Sequence, residues 1–529
     1  MDLRADVAAS SSAQASVVLA PVALPSIPVR QVDLVSFGAV GNGTQLNTMA
    51  FAAAIAAVAE QGGGRVNVPA GIWLTGPIIM RSRVELHLAA GAIILFTPDR
   101  SRYPLVQTTW EGNSAVRCLA PISGSNLEDI AITGEGVIDG SGDAWRPVKK
   151  DKLTESQWRR LLASGGVTDD AKRLWFPSES ARLGYENSAL RNSPNKADQE
   201  KARDALRPVL LNFVNCRRVL LEGVTFQNSP AWCLHPLLSE DITLRRVTVR
   251  NPWYAQNGDG LDLESCRRVL VEHCNFDVGD DAICLKSGKD AEGRKRGRPT
   301  ENVLVRDCVV QHGHGGFVVG SEMSGGVRDV IVERCTFLGT DVGLRFKSTR
   351  GRGGLVERIR ISDIRMLRIG GDAILFDLFY MGRKAEGAEV IPPVSPETPS
   401  FRDIHMTRIV SVGARRSALI QGLPEMPIQD IVLEDSSLEG TQGITVVDTK
   451  GLLLRRVEVK ASEGAPVSFA NTADSRTEDL SLATPAAGPL ITVSGARSSK
   501  LQFEGKGALQ DGYVGVSKEV PAGVVTRKP

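Results

Sequence analysis

The stretch Val219-Leu220-Leu221-Glu222-Gly223-Val224-Thr225-Phe226 alternates apolar and polar residues, slips by one position at Gly223 and then resumes its alternation. The same phase returns at Ile242, Leu244, Val247, Val249; at Val269, Val271, Cys274, Phe276; and at Val303, Val305, Cys308, Val310. It continues at Val330, Val332, Cys335, Phe337 and at Ile359, Ile361, Ile364, Met366, with weaker copies starting at Ile404, Ile431 and Leu452. Such alternation marks half-buried strands, and the slip reads as a bend, with Gly or Asn at the corners. Successive starts lie 21–45 residues apart, which are coil lengths with two insertions. A unit this short cannot bury its own apolar face and must stack on its neighbours. The expected fold is therefore all-β, a right-handed parallel β-helix in which like residues form columns. Cys274, Cys308 and Cys335 share one phase and read as an inward column of thiols.

The ends of such a stack must differ from its middle. Residues 47–61, Ala-rich and followed by Gly62-Gly63-Gly64, predict a short capping helix at the N-terminal end, capped by Asn47. Residues 145–207 break the coil period, are charged and are helix-prone around 153–162, so they read as a large loop insertion beside the binding face. The last thirty or so residues read as a fading stack end. These boundaries give an N-terminal tail over residues 1–32 and one solenoid domain over 33–529, in place of the three or four domains that 529 residues would otherwise suggest.

Composition narrows the function. Lys and Arg total 63 against 61 Asp and Glu, a net charge of +2, so no global basic field draws the chain to nucleic acid or to an anionic membrane. No apolar run approaches the ~18–20 residues of a membrane helix, and residues 15–27 lack the basic start and apolar centre of a signal peptide. Eight cysteines without a CxxC pair offer neither a disulfide scaffold nor a zinc site.

Once the coils are in phase, Asp280, His314 and Asp341 each fall eleven positions after a coil start, at Val269, Val303 and Val330. They should stack on one outer face, in coils ~4.8 Å apart. Asp281 lies beside them, Asp259 comes from the preceding coil, and Arg345 and Lys347 alternate to one side of the next. Three clustered carboxylates raise at least one pKa by mutual repulsion. One acid can then donate a proton while another activates water, the division of labour that glycoside hydrolysis requires. Two nearby cations suit a sugar that carries a carboxylate.

In these residues the sequence resembles glycoside hydrolase family 28, the polygalacturonase family, whose four motifs Asn-Thr-Asp, Gly-Asp-Asp, Gly-His-Gly and Arg-Ile-Lys occur in that order. Here they stand as Asn257-Gly258-Asp259, Gly279-Asp280-Asp281, Gly313-His314-Gly315 and Arg345-Phe346-Lys347. Phe37-Gly38-Ala39-Val40-Gly41, Pro69-Ala70-Gly71 and Leu74-Thr75-Gly76-Pro77 resemble the family's opening coil. The resemblance implies Asp280 as general acid and Asp259 with Asp281 as holders and deprotonators of the attacking water, with inversion. It further implies His314 as a tuner of the acid, Arg345 and Lys347 as a grip on a galacturonate carboxylate, and no cofactor or metal. His235 resembles a substrate-facing position. Gly258 and Phe346 depart from the family pattern and bear on substrate detail. The segment holding Gly288-Lys289-Asp290 and Arg294-Lys295-Arg296, the 145–207 insertion and Gly316–Glu322 resemble exo-acting members, in which loops wall off one end of the cleft. The implied substrate is a pectic polysaccharide or oligogalacturonide, met in a secreted or periplasmic location. A rhamnogalacturonan hydrolase, a calcium-dependent pectate lyase and a silent glycan-binding β-helix are the competing expectations.

Overall fold

The computed structural model describes residues 17–382 and 391–529. Its parallel ladders join 37 strands into one right-handed β-helical stack. The coil starts read from the sequence pair in register: Val219 with Ile242, Ile242 with Val269, Val269 with Val303, Val303 with Val330, Val330 with Ile359, Ile359 with Ile404, and Ile404 with Ile431. The stack also extends beyond the copies found in the sequence. Gly64 pairs with Val84, and Ile130 with Val219. At the other end Ser475 pairs with Leu501 and Leu501 with Val525, so parallel pairing continues to Lys528, while the last strands, Val514–Val516 and Val525–Lys528, are short and mostly exposed, as a fading stack end should be.

Inward columns form the core, with Phe226, Val249, Phe276, Val310 and Phe337 all buried. Cys274, Cys308 and Cys335 lie in it as free thiols, and Cys308 Sγ donates to the Arg306 carbonyl at 3.1 Å. The corners differ from the Gly or Asn expected. The residue at the slip is Gly223, Arg246, His273, Asp307, Arg334, Asp363 and Arg408 in successive coils, all left-handed at φ 52 to 79. A second left-handed column precedes each start, as Arg218, Asp241, Arg268, Asn302, Asp329 and Arg358. A left-handed non-Gly residue costs about 1–2 kcal/mol, and the columns tolerate it because Arg and Asp pair across coils. Arg268 bonds Asp241 at 2.8 Å, Arg358 bonds Asp329 at 2.7 Å and Arg334 bonds Asp307 at 2.8 Å.

The N-terminal tail is docked on the second of these columns. Ala20, Ala23 and Ser26 donate backbone N–H groups to Asn302, Asp241 and Asp129, skipping one coil each time. Two coils span about 9.6 Å, and three residues of Pro-rich extended chain span about 9.3 Å. The Pro21, Pro25 and Pro28 stretch thus matches the period of the stack and straps five coils from outside.

The N-terminal helix covers Thr48–Glu60 and buries Phe51, Ala54, Ile55 and Val58 over the first coils. Asn47 does not cap it. Its side chain accepts from Val40 N at 2.8 Å and donates to the carbonyls of Val40, Gln45 and Leu74, tying three loops together instead. The insertion contains the helix Glu155–Ala163, with a Thr154/Gln157 capping box, and the helix Glu179–Glu186. It stands beside an antiparallel hairpin, Leu105–Trp110 with Asn113–Cys118, that the sequence period did not reveal.

Candidate active site

Five short parallel strands build the floor of the site: β1 (Leu234–Leu237), β2 (Leu261–Glu264), β3 (Asp281–Lys286), β4 (Gly315–Val319) and β5 (Leu344–Lys347), each paired with the next. Asp259, Asp280 and His314 sit just ahead of β2, β3 and β4, at the corner where the chain enters the sheet. Backbone bonds fix their stacking: His314 N donates to Asp280 O at 2.9 Å, and Asp341 N to Gly313 O at 2.8 Å.

One oxygen of each of Asp259, Asp280 and Asp281 lies within 4.8 Å of the others. Asp281 is clamped, with Oδ1 accepting from Arg345 Nη1 at 3.0 Å and Oδ2 from Lys347 Nζ at 2.7 Å. Burial alone would raise its pKa, but the charges of Lys347 and Arg345 overcome that and hold the carboxyl well below the usual range. Asp259 is the opposite case. It is buried, its Oδ1 has no hydrogen-bond partner, and burial with the charges of Asp262 and Asp280 pushes its pKa well up. Asp280 is partly exposed to the cleft and accepts at Oδ1 from Asp281 N at 3.0 Å, with His314 Nδ1 at 3.1 Å. The hydrogen bond from Asp280 raises the His314 pKa despite the burial of the ring. Asp280→Asn should therefore lower the His314 titration midpoint, because the largest influence that raises it is removed while burial, which lowers it, stays, and only the weaker charges of Asp281 and Asp341 still oppose burial. Histidine-selective NMR of the six histidines checks this. An unmoved midpoint would show that Asp280 does not govern His314.

Glycine is required where these side chains cross. A Cβ on Gly315 would stand 3.3 Å from Arg345 Cδ and 3.4 Å from Asp281 Oδ1, in the path of the guanidinium. Gly258 stands where the family motif has Thr because Ala255 Cβ would lie 2.7 Å from any Cβ there. Phe346 points inward and stacks on Phe376 at 4.3 Å, so that departure belongs to core packing and does not alter the site.

Two sequence expectations change. His235, expected to face substrate, is 1% exposed and offers little surface to one. Asn212 Nδ2 can only donate to its Nδ1, at 3.1 Å, which leaves the proton on Nε2 facing Glu264 at 3.0 Å. With both ring nitrogens engaged and Trp232 edge-on at 5.1 Å, the ring is a strut inside the wall. Arg345 and Lys347, expected to be free for a sugar carboxylate, are engaged by Asp281, with Lys347 also 4.9 Å from the Tyr380 ring.

The sequence reading missed a second layer of charge beneath the first. Lys286 Nζ bonds Glu322 at 3.0 Å and lies 3.6 Å from Asp262, a charge contact too long for a hydrogen bond. Asp262 lies on β2 opposite Cys284 and Lys286 on β3 opposite Glu264, and alternation along β2 and β3 was the signal that could have exposed them.

A parallel β-helix presenting a buried carboxylate held low by two cations, a second buried one pushed up, and a cleft-facing one with its imidazole fits the arrangement of a glycoside hydrolase. The chain belongs to the glycosyl hydrolases family 28, whose family model matches residues 189–472. It is 28% identical over 424 residues to a probable polygalacturonase from Vitis vinifera, covering 78% of this chain and 75% of that one. It is 26% identical over 362 residues to an exo-poly-alpha-D-galacturonosidase from Dickeya chrysanthemi, covering 66% of this chain and 57% of that one. Among solved structures it resembles a hyperthermoactive exopolygalacturonase from Thermotoga maritima, with a TM-score of 0.68 and 33% identity over 83% of this chain and 91% of that one.

Proposed function

We propose that this enzyme removes galacturonate from the non-reducing end of pectic chains with inversion of configuration. The observation that carries the exo reading is the pocket that the hairpin and the insertion build beside the acids. The hairpin 105–118 and the insertion wall a cavity of about 630 Å³ that also touches Asn257, two residues from Asp259. The exo-acting names of the Thermotoga and Dickeya relatives support it.

In this reading one proton is shared among three acids while Lys347 and Arg345 keep Asp281 an anion. The proton rests on buried Asp259 in the empty site and on cleft-facing Asp280 in the reactive arrangement, a coupled titration of neighbours. Asp280 then protonates the glycosidic oxygen as the C–O bond breaks. Water held between Asp259 and Asp281 attacks the anomeric carbon from the opposite side, and its proton passes to Asp259, so that the acids end with the single proton they began with. Arg345 presents its remaining N–H groups to the departing uronate.

Carboxyl separations of ~6.5–9.5 Å accompany inversion in most glycosidases and ~5–5.5 Å retention. Inversion rests on the family resemblance and on an Asp281 whose two oxygens are already bonded to cations and poorly placed to attack carbon. A lyase would need calcium on the same three acids, where an ammonium already sits 2.7 Å from Asp281. A polymeric pectic substrate would be met in a secreted or periplasmic location, which cell fractionation would check.

Early products from polygalacturonate should be galacturonic acid alone, appearing first as the β anomer by proton NMR. A ladder of oligomers would overturn the exo reading, and an initial α anomer the inverting one.

A further inference from the structure

The cavity between hairpin and insertion holds more positive charge than the protein itself neutralises. Arg117 projects into it from the hairpin, Arg191 from the end of the helix Ser188–Arg191, and Arg207 from the close of the insertion. Among the described residues none of the three has a carboxylate within 4 Å, whereas most surface arginines of this chain are paired. Arg117 is 5% exposed, donates only to its neighbour's carbonyl at Val116, and leaves Nε buried without a partner. Arg207 is buried as well and donates to the carbonyls of Pro230 and Gln256 and to Asn257 Oδ1, all neutral. Arg191 makes one long bond, to Gly184 O at 3.4 Å. The two acids in the cavity wall are engaged elsewhere. Glu111 lies 3.6 Å from Lys289, and Asp204 bonds Arg100 and Ser178.

Burying cations that cannot give up their protons is unfavourable unless an anion joins them. Burial above all, with the neighbouring guanidiniums second, lowers the affinity of Arg117 for its proton to a pKa of about 9 and that of Arg207 to about 10. The face of Trp110 at 4.5 Å relieves Arg117 in part. The planar fork of a guanidinium matches a carboxylate, and the volume lies in the range of ligand pockets, ~300–1,000 Å³.

We propose that Arg117, Arg191 and Arg207 form an anion site for the carboxylate of the terminal, non-reducing uronate, and that this site selects charged chain ends. The inference rests on the exo reading above and adds to it the residues that recognise the end. It also reassigns the carboxylate grip, which the sequence had placed on Arg345 and Lys347.

The test compares trigalacturonide with a counterpart methyl-esterified at its non-reducing carboxyl. Wild type should prefer the acid. Arg117→Gln and Arg191→Gln should each raise KM for the acid about 30-fold, the effect of removing one partner from a buried charge pair, and should collapse the acid-to-ester preference. The two variants lie on separate elements, so at least one should keep the wild-type melting curve. Calorimetry of galacturonate against galactose gives a second readout, with the acid binding wild type and binding Arg191→Gln about 30-fold more weakly. Folded variants that keep the preference, or equal binding of galacturonate and galactose to wild type, would overturn the arginine site. A ladder of oligomers from wild-type enzyme would instead count against the exo reading, whatever the variants do.

Discussion

Asp280→Asn should lower kcat for release of reducing ends from polygalacturonate by about 10²–10⁴-fold, the usual contribution of a positioned proton donor. The substitution is nearly isosteric. Its amide oxygen can still accept from Asp281 N, which now bonds Asp280 Oδ1 at 3.0 Å, so substrate affinity and fold should hold. A loss of activity alone would not prove a proton donor, because any disturbance of the carboxylate cluster would lower the rate. The decisive comparison is with an aryl galacturonide whose leaving phenol needs little protonation. If Asp280 donates the proton, the variant should recover most of its rate on the aryl substrate. An equal loss on both substrates would place Asp280 in holding the water or the sugar, and would hand the acid role to the raised Asp259.

The coil register was legible because one column is enough to set it. Every start from Val219 to Ile431 pairs with its neighbour, since inward positions must be apolar in each turn and one slipped residue would turn the whole strand inside out. The catalytic corner followed from that register, and it correctly predicted the contact of Asp280 with His314. The coils at Ser475, Leu501 and Val525 escaped because a serine hydroxyl, bonded to the Ala473 carbonyl at 2.8 Å, fills the inward start where the pattern requires an aliphatic residue. The corners were misread because αL geometry was equated with Gly and Asn, whereas stacked Arg and Asp side chains stabilise one another only across coils, a contact that is non-local in sequence. The same limit hid the partners of Arg345 and Lys347. Alternation shows that both point outward, but not that Asp281, more than sixty residues earlier, bonds both of them. The arginine pocket joins residues 117, 191 and 207 from a hairpin and an insertion that carry no repeat, so no periodicity could have assembled it.

Lys347→Met should destabilise the fold by about 3–5 kcal/mol at neutral pH, the usual effect of removing one member of a buried ion pair. Both side chains are nearly dry, at 7% exposure for Lys347 and 2% for Asp281, and methionine fills the stem's volume without replacing the 2.7 Å contact. The pH dependence identifies the cause. The Asp281 carboxyl is depressed below its unfolded value of about 3.9, so the stability it contributes is present above that value and is lost as pH falls through the folded pKa. Without Lys347 burial is opposed by Arg345 and Lys286, the folded pKa rises, and the gap between variant and wild type should be widest above the variant's folded pKa and shrink as pH falls below it. Thermal midpoints across a pH series measure it, since a long stack need not unfold in two states. The companion variant Lys347→Met/Asp281→Asn removes both charges and should regain much of the midpoint while remaining inactive, because a neutral pair no longer leaves an anion buried beside one cation. A deficit that is the same at every pH, or that the double variant fails to relieve, would trace the loss to packing against Tyr380. Recovery of the midpoint without recovery of turnover would show that turnover needs the Asp281 carboxylate itself, beyond the part its clamp by Lys347 and Arg345 plays in joining the third and fifth strands of the cleft.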